Sequence, residues 1–436
     1  MSKIHFLLSR INAKLWVLPA VMSACVVGWV WISYMAGTYL EPSFFSFIEV
    51  SRETLLNLFT ILASTMLTVA TFSVSAIANA YGSVATTASP RANRIVMKDG
   101  NVRSTLGAFL ATFIYAVVAI TALSAFEFGP TGRFLLFLAF VVQVGWVLVS
   151  FLSWVDRVSR LGRIGDTISR VAEAGRVAFS NVDLCGTLSA NRRDPDERVD
   201  GDAHILRSER FGYVQHIDLD VVQGIAEDHE LEIRFGIRPG SLLTVGYPMA
   251  HVVSAHRAKG GTDGDSYDGE MDARLKAAVT VGGERSIETD PRFALILLSE
   301  IADRALSPGV NDPGTAITVL PHQMELIHEW TLRRKERGQS STEHKCRYSQ
   351  VWVPPIEADD LVLDAFGPIA RDGAGMVEVV IRLLKALQSL TFMGHSDLAQ
   401  AAAKYSRVVL ELAEAKLVAE SEKEAARKVA GDVSED

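Results

Sequence analysis

The sequence predicts a polytopic α-helical membrane protein with four transmembrane helices and a cytoplasmic mixed α/β domain. Three observations carry that expectation. The 436 residues are 49% hydrophobic, with a mean hydropathy of +0.20. Four stretches, at about 15–35, 55–78, 105–123 and 134–154, are long and apolar enough to cross a hydrocarbon core of roughly 30 Å. Beyond residue 200 the pattern changes to short alternating strands and amphipathic helices.

The second stretch is the most informative. Residues 55–78 contain no charge, no proline and no glycine, so the helix can continue unbroken. Its polar residues fall in a series: Asn57, Thr60, Ser64, Thr68, Thr71, Ser75 and Asn79. Steps of three and four hold them on one helix face. Such a stripe wants another helix or water beside it. Small hydroxyl residues pack helices closely and bond back to their own backbone. Several copies of the helix around an aqueous path would instead use the same hydroxyls to line a pore.

The flanking charges set an expected orientation. Lys3, Arg10 and Lys14 precede the first span; Arg91, Arg94, Lys98 and Arg103 follow the second. Arg157, Arg160, Arg163, Arg170 and Arg176 follow the fourth. The first connecting loop has Arg52 beside Glu41, Glu49 and Glu53, and the third has Arg133. Both termini and the mass after Asp156 are therefore expected in the cytoplasm of a bacterial inner-membrane protein. The first span is longer than a signal peptide's apolar run and reads as an uncleaved anchor.

The other spans add detail. Trp16, Trp29 and Trp31 suit interfacial anchoring of the first. Gly107, Ala111, Tyr115 and Ala119 give the third a close-packing face. Gln143 is the strongly polar residue of the fourth, and no carboxylate, lysine, arginine or histidine stands at mid-depth in any span. Coupled transporters usually place one there, so that class is disfavoured.

Five segments are expected: the spans at 1–156, an amphipathic connection with a charged loop at 157–200, and a small β-rich α/β module at 201–258. A mainly helical segment at 259–346 and a helical segment with a charged tail at 347–436 follow. The amphipathic stretch from Asp156 to about Ser180 carries Ile164, Ile168, Val171 and Val177 against a row of arginines. It reads as a continuation of span four or a helix on the anionic leaflet. Strands are expected at 211–217, 231–237 and 242–253, with a helix begun by Asp218. Asp290 and Pro291 read as the N-cap and first position of a helix to Ala305. One long helix is expected over 398–428.

Three groups of residues qualify as candidate sites. The stripe itself is the candidate pore lining. Glu49 and Glu53 would ring one mouth and favour cations, whereas Arg91 and Arg94 would ring the other and favour anions. Asp303, Arg304, Ser307, Asn311 and Asp312 crowd a helix end and the following turn, where polar loop residues bind ligands or simply cap and shape the turn.

Other chemistry finds little support. Cys25, Cys185 and Cys346 lie too far apart in sequence for a disulfide framework or zinc spacing. The acidic run with Asp265, Asp268 and Asp272 lacks EF-hand spacing. His322, Glu325 and His328 do not form a zinc-binding pair. No phosphate loop, dinucleotide fingerprint or nucleophile elbow is present. No enzyme activity, cofactor or metal is therefore expected, and the net charge of −8 makes nucleic acid an unlikely partner.

Several runs resemble the bacterial family of predicted membrane proteins known as domain of unknown function 2254. They are 63–70, Ser89-Pro-Arg91, 106–115, Gly212-Tyr-Val-Gln215 with Arg238-Pro-Gly240, and Asp290 onward through Arg304-Ala-Leu-Ser-Pro-Gly-Val-Asn-Asp-Pro313. The resemblance covers nearly the whole chain and implies four spans with a cytoplasmic domain. It brings no activity and no catalytic residues. Gly212-Tyr-Val with 239–246 and Met249 is also similar to half of a lipoyl- or biotinyl-type barrel, but no lysine stands in its turn.

The expectation is a homo-oligomeric inner-membrane ion channel, partnered by the bilayer, by itself and by inorganic ions. The competing expectation is a membrane-anchored sensor or scaffold whose cytoplasmic domain binds a partner or small ligand.

Overall fold

A computed structural model describes residues 17–39, 50–87, 90–92, 100–160, 163–194, 203–254, 269–339 and 346–434. The chain divides into two compact units, Met1–Thr86 with Asn93–Asp166 and Thr87–Ala92 with Thr167–Asp436.

The first unit contains α1 (Val17–Tyr39), α2 (Arg52–Thr87), α3 (Gly100–Ala125) and α4 (Pro130–Arg160). All four are long and apolar enough to cross a membrane. The 36 residues of α2 would extend about 50 Å at 1.5 Å per residue, well beyond a hydrocarbon core. Its inward face is mainly apolar: Leu55, Phe59, Leu62, Met66 and Ile77 are buried, with Ser73 among them. The Phe59 ring meets Tyr115 of α3 edge-on at 5.3 Å and Phe140 of α4 at 5.7 Å, a geometry that aromatic quadrupoles favour.

The small-residue face expected on α3 is buried at Gly107, Ala111, Tyr115 and Ala119. Two polar contacts join α3 to α4. The Tyr115 hydroxyl donates to the Leu136 carbonyl at 2.8 Å, and Thr112 Oγ1 lies 2.8 Å from Gln143 Oε1. An interior polar group in an apolar bundle needs such a partner, and Thr112 supplies Gln143 with one.

The tightest approach is between α1 and the start of α4. A Cβ on Gly132 would stand 2.6 Å from the Ser33 carbonyl oxygen, and one on Gly129 would stand 2.3 Å from that of Gly37. Glycine there lets two backbones touch, as small-residue crossings do.

The second unit begins with α5 (Ile164–Phe179) and α6 (Val182–Cys185). Two sheets follow. The larger has strand order β1-β8-β4-β6-β2, from β1 (Ala190–Arg192), β2 (His204–Arg207), β4 (Leu231–Phe235), β6 (Pro248–Ser254) and β8 (Tyr348–Val353). Its β1–β8 and β8–β4 pairings are parallel, and the others are antiparallel. The smaller sheet is antiparallel, in the order β5-β3-β7, from β3 (Gly212–Ile217), β5 (Leu242–Leu243) and β7 (Val279–Gly282). Between strands lie α7 (Leu219–Asp228) and α8 (Gly269–Ala278). Six helices complete the unit: α9 (Arg292–Leu306), α10 (Pro313–Gln339), α11 (Ala358–Asp372), α12 (Val377–Thr391), α13 (Ser396–Lys416) and α14 (Glu420–Ser434).

Several local expectations hold. Asp218 caps α7, its carboxylate accepting from the Val221 amide. Alternation in β4 buries Leu231, Ile233 and Phe235. Others need correction.

Most of the expected apolar face of α5 packs within its own unit instead of being left for a leaflet, although Val177 is exposed. Ile168, Val171 and Phe179 are buried, and a Cβ on Gly175 would meet Ala294 and Leu326 within 3 Å. The run 242–253 is two strands in two sheets, because the chain turns at Gly246 (φ +83). The large sheet crosses the expected segment limits, taking β1 from the connection and β8 from the last segment. Asp290 does not cap α9 with its side chain; that carboxylate holds Arg285 at 2.6 Å. The run 398–428 breaks after Lys416, where Leu417 is extended, its side chain is buried and α14 turns back. Arg427 of α14 then reaches Glu414 of α13. Residues 255–268, with Asp265 and Asp268, lie outside the described residues, and Asp272 is paired with Lys276.

Replacing Gly132 by valine should destabilise the first unit by about 1–3 kcal/mol, through overpacking at a backbone contact. Gly145→Val, where the added Cβ meets nothing within 4 Å, should stay within about 0.5 kcal/mol. Thermal unfolding of the purified protein in detergent checks both.

Candidate functional site

The α2 stripe stands on the outward face of its unit. Asn57, Thr60, Ser64, Thr68, Thr71, Ser75 and Asn79 are all exposed, on the side away from the buried row Leu55, Phe59, Leu62 and Met66. The hydroxyls are not idle. Thr60 donates to the Leu56 carbonyl at 2.7 Å, Ser64 to Ile61 at 3.0 Å and Thr68 to Ser64 at 3.0 Å. Thr71 donates to Leu67 at 2.9 Å and Ser75 to Thr71 at 3.1 Å. Each hydroxyl proton is thereby satisfied within the helix, while its lone pairs still face outward. Exposed Ile61, Leu67 and Phe72 flank the stripe.

Of the expected mouth residues, Glu53 is exposed in the first turn of α2. Arg91 donates to Glu300 of α9 at 2.8 Å. Glu49 and Arg94 lie outside the described residues.

The cluster at the end of α9 separates into two roles. Ser307 Oγ donates to the Arg304 carbonyl, and the Asn311 and Asp312 amides close the turn on Ser307 and Ala305. Asn311 adopts φ +52, a left-handed conformation that asparagine tolerates. Asp312 accepts from the Thr315 amide at 3.0 Å and from its hydroxyl at 2.6 Å. Those bonds hold its carboxyl below the usual range. Arg304 sits in the last turn of α9, where a cation complements the helix dipole.

Asp303 belongs to a different contact. Arg371 donates to Asp303 at 2.8 Å and to its own neighbour Asp372 at 2.6 Å. Partial burial, with the Asp372 carboxyl alongside, raises Asp303 to about 6.

Sequence reasoning missed a buried charge network beside this region. Arg238 is 7% exposed, and its guanidinium donates to the Leu184 carbonyl at 2.8 Å and the Pro354 carbonyl at 3.2 Å. Burial pushes its pKa down to about 10, opposed chiefly by the negative charge of Asp290. Asp290, 2% exposed, accepts from Arg285 Nε at 2.6 Å. Gly240 (φ +95) packs against that carboxylate, and a Cβ there would be 2.3 Å from Asp290 Oδ2. Next to it, Arg292 bridges Asp360 at 2.7 Å and Asp364 at 2.6 Å. Buried Arg238 and Asp290 are thus flanked by the partly exposed Arg285 and by the Arg292 pairs with Asp360 and Asp364. Arg238-Pro-Gly240 and Asp290-Pro291 were visible as motifs, but nothing local told that they meet.

Among the described residues no group of three or more His, Cys, Asp or Glu side chains is placed to hold a metal ion. The arrangement is thus a four-helix, span-bearing unit with an outward polar stripe, joined in one chain to an α/β unit with a charged interior. Residues 12–389 match the family described as "Predicted membrane protein (DUF2254)", and the chain belongs to that family.

Curated relatives include "Uncharacterized protein Mb1321c" of Mycobacterium bovis and "Uncharacterized protein Rv1290c" of Mycobacterium tuberculosis. Each is 32% identical over 121 residues, which are 28% of this chain and 22% of the relative. The match thus spans about a fifth of those proteins' length. No solved structure matches this chain.

Replacing Arg238 by alanine should cost about 3–5 kcal/mol, because it removes one charge from a buried network and strands two carbonyls. A lowered unfolding temperature, with membrane extraction unchanged, is the expected result.

Proposed function

We propose that the protein is a non-enzymatic, homo-oligomeric ion channel of the bacterial inner membrane, with α2 lining the path. The observation that carries this reading is the two-sidedness of α2. One face is consumed by packing within the subunit, and the polar face is left for contact beyond it. A single four-helix unit cannot surround a pore with one stripe, so copies must assemble. Hydroxyl oxygens with outward lone pairs can replace part of an ion's hydration shell without trapping it. The loop charges support a cytoplasmic location for both termini and for the α/β unit, which would then serve regulation or assembly.

A second reading is favoured by the back-bonded hydroxyls, since a helix that satisfies them internally can also pack in lipid or against a neighbour. In that case the protein is a membrane-anchored scaffold or sensor.

Ion flux through purified protein in liposomes decides between them. Ser64→Leu/Thr68→Leu should abolish wild-type flux or reduce it several-fold without altering particle size in mild detergent. Flux that the double variant leaves intact, or a strictly monomeric particle, would overturn the pore.

A further inference from the structure

The α/β unit contains a half-open cavity of about 280 Å³, at the small end for ligand pockets. Its lining includes Cys185 at the end of α6, Arg192 of β1, Arg333 and Arg334 of α10, Cys346 and Ile356. Ala190 and Pro355 add apolar wall, and no acidic side chain lines it among the described residues.

The walls are held in place from behind. Arg238 fastens the Leu184 and Pro354 carbonyls, each next to a lining residue. The turn 186–189 keeps Leu188 (φ +57) and Ser189 (φ +63) in the left-handed region, which is unusual for such residues. The Leu188 amide closes that turn on the Asp183 carbonyl at 3.0 Å, and the Ser189 hydroxyl meets the Asp183 carboxylate.

Each lining guanidinium is also anchored. Arg192 holds Glu357 at 3.2 Å and Arg333 holds Glu329 at 2.6 Å. Arg334 holds Asp397 at 2.7 Å and stacks 5.1 Å from the centre of the Trp330 ring. A guanidinium has five N–H donors in a rigid fork. One carboxylate does not use up the fork of Arg192 or of Arg334.

We propose that this cavity binds a small organic anion, with a phosphate or carboxylate held by Arg192, Arg333 and Arg334 and an apolar body against Ala190, Pro355 and Ile356. Three arginines among the lining residues favour negative charge and planar oxygen pairs, and no acidic side chain lines the cavity among the described residues to favour a cation. The apolar wall selects an organic body over a bare inorganic ion. Burial pushes the Cys185 thiol up to about 12, so it stays protonated and serves as wall. The inference does not rest on the pore, and its test reads binding alone.

Cys346 is exposed at the cavity and reports occupancy. The test measures its alkylation rate by N-ethylmaleimide, by mass spectrometry, on the full chain in an uncharged maltoside detergent. Phenyl phosphate or benzoate at millimolar concentration should slow alkylation at least threefold, and neutral benzyl alcohol should not. Arg192→Gln and Arg334→Gln should each weaken protection about tenfold, while Arg334→Lys keeps part of it; each rate is compared with the same variant without probe. Equal protection by benzyl alcohol, no protection by either anion, or full protection in both glutamine variants would overturn the site. Protection by phosphatidic acid in mixed micelles, but by neither soluble anion, would overturn the soluble-ligand assignment and make the source a lipid headgroup.

Discussion

The α/β unit is constrained above all by one buried cation. The guanidinium of Arg238 has been taken out of water, which is costly unless its donors and its charge are both answered. Two carbonyls from distant segments, at Leu184 and Pro354, take the donors. Asp290 answers the charge, and Arg285 in turn holds Asp290. Gly240 follows from the same constraint, because a side chain there would strike the carboxylate. The close of α6, the exit from β8 and the entry to α9 are therefore positioned by one interior network.

The helical unit obeys a different rule. Apolar helices in lipid gain little from burying apolar surface, so shape and a few polar contacts decide how they meet. Glycine at 37, 129 and 132 allows α1 and α4 to touch backbone to backbone. Tyr115 and Gln143 supply directional contacts between α3 and α4. Once Phe59, Leu62 and Met66 have turned α2 inward, the spacing of its hydroxyls forces them outward. The polar stripe is thus a consequence of packing on the reverse face as much as of its own residue types.

How much of this was legible depended on the distance over which each signal acts. The stripe was legible because a helix repeats every 3.6 residues and the seven positions obey that period. The Asp218 cap and the α9–α10 turn were legible because their partners lie close in sequence, from Val221 for Asp218 to Ala305 for Asp312. Asp290 misled, since Asp before Pro has a frequent local use as a cap, whereas here Arg285 claims its buried side chain. The break at Leu417 carries no proline or glycine; it exists because its side chain is buried and Arg427 can fold back onto Glu414.

The sequence by itself determined the four apolar helices, the stripe on α2, and the change to mixed α/β structure. All of these are encoded by periodicity and composition within a few turns of chain. Only the tertiary structure decided that β1 pairs with β8, residue 190 with residue 348. It alone brought Arg238 to Asp290, and three arginines and two cysteines to one cavity. Those contacts join residues tens to more than a hundred positions apart. Their register is set by burial and charge compensation in three dimensions, which local patterns do not record.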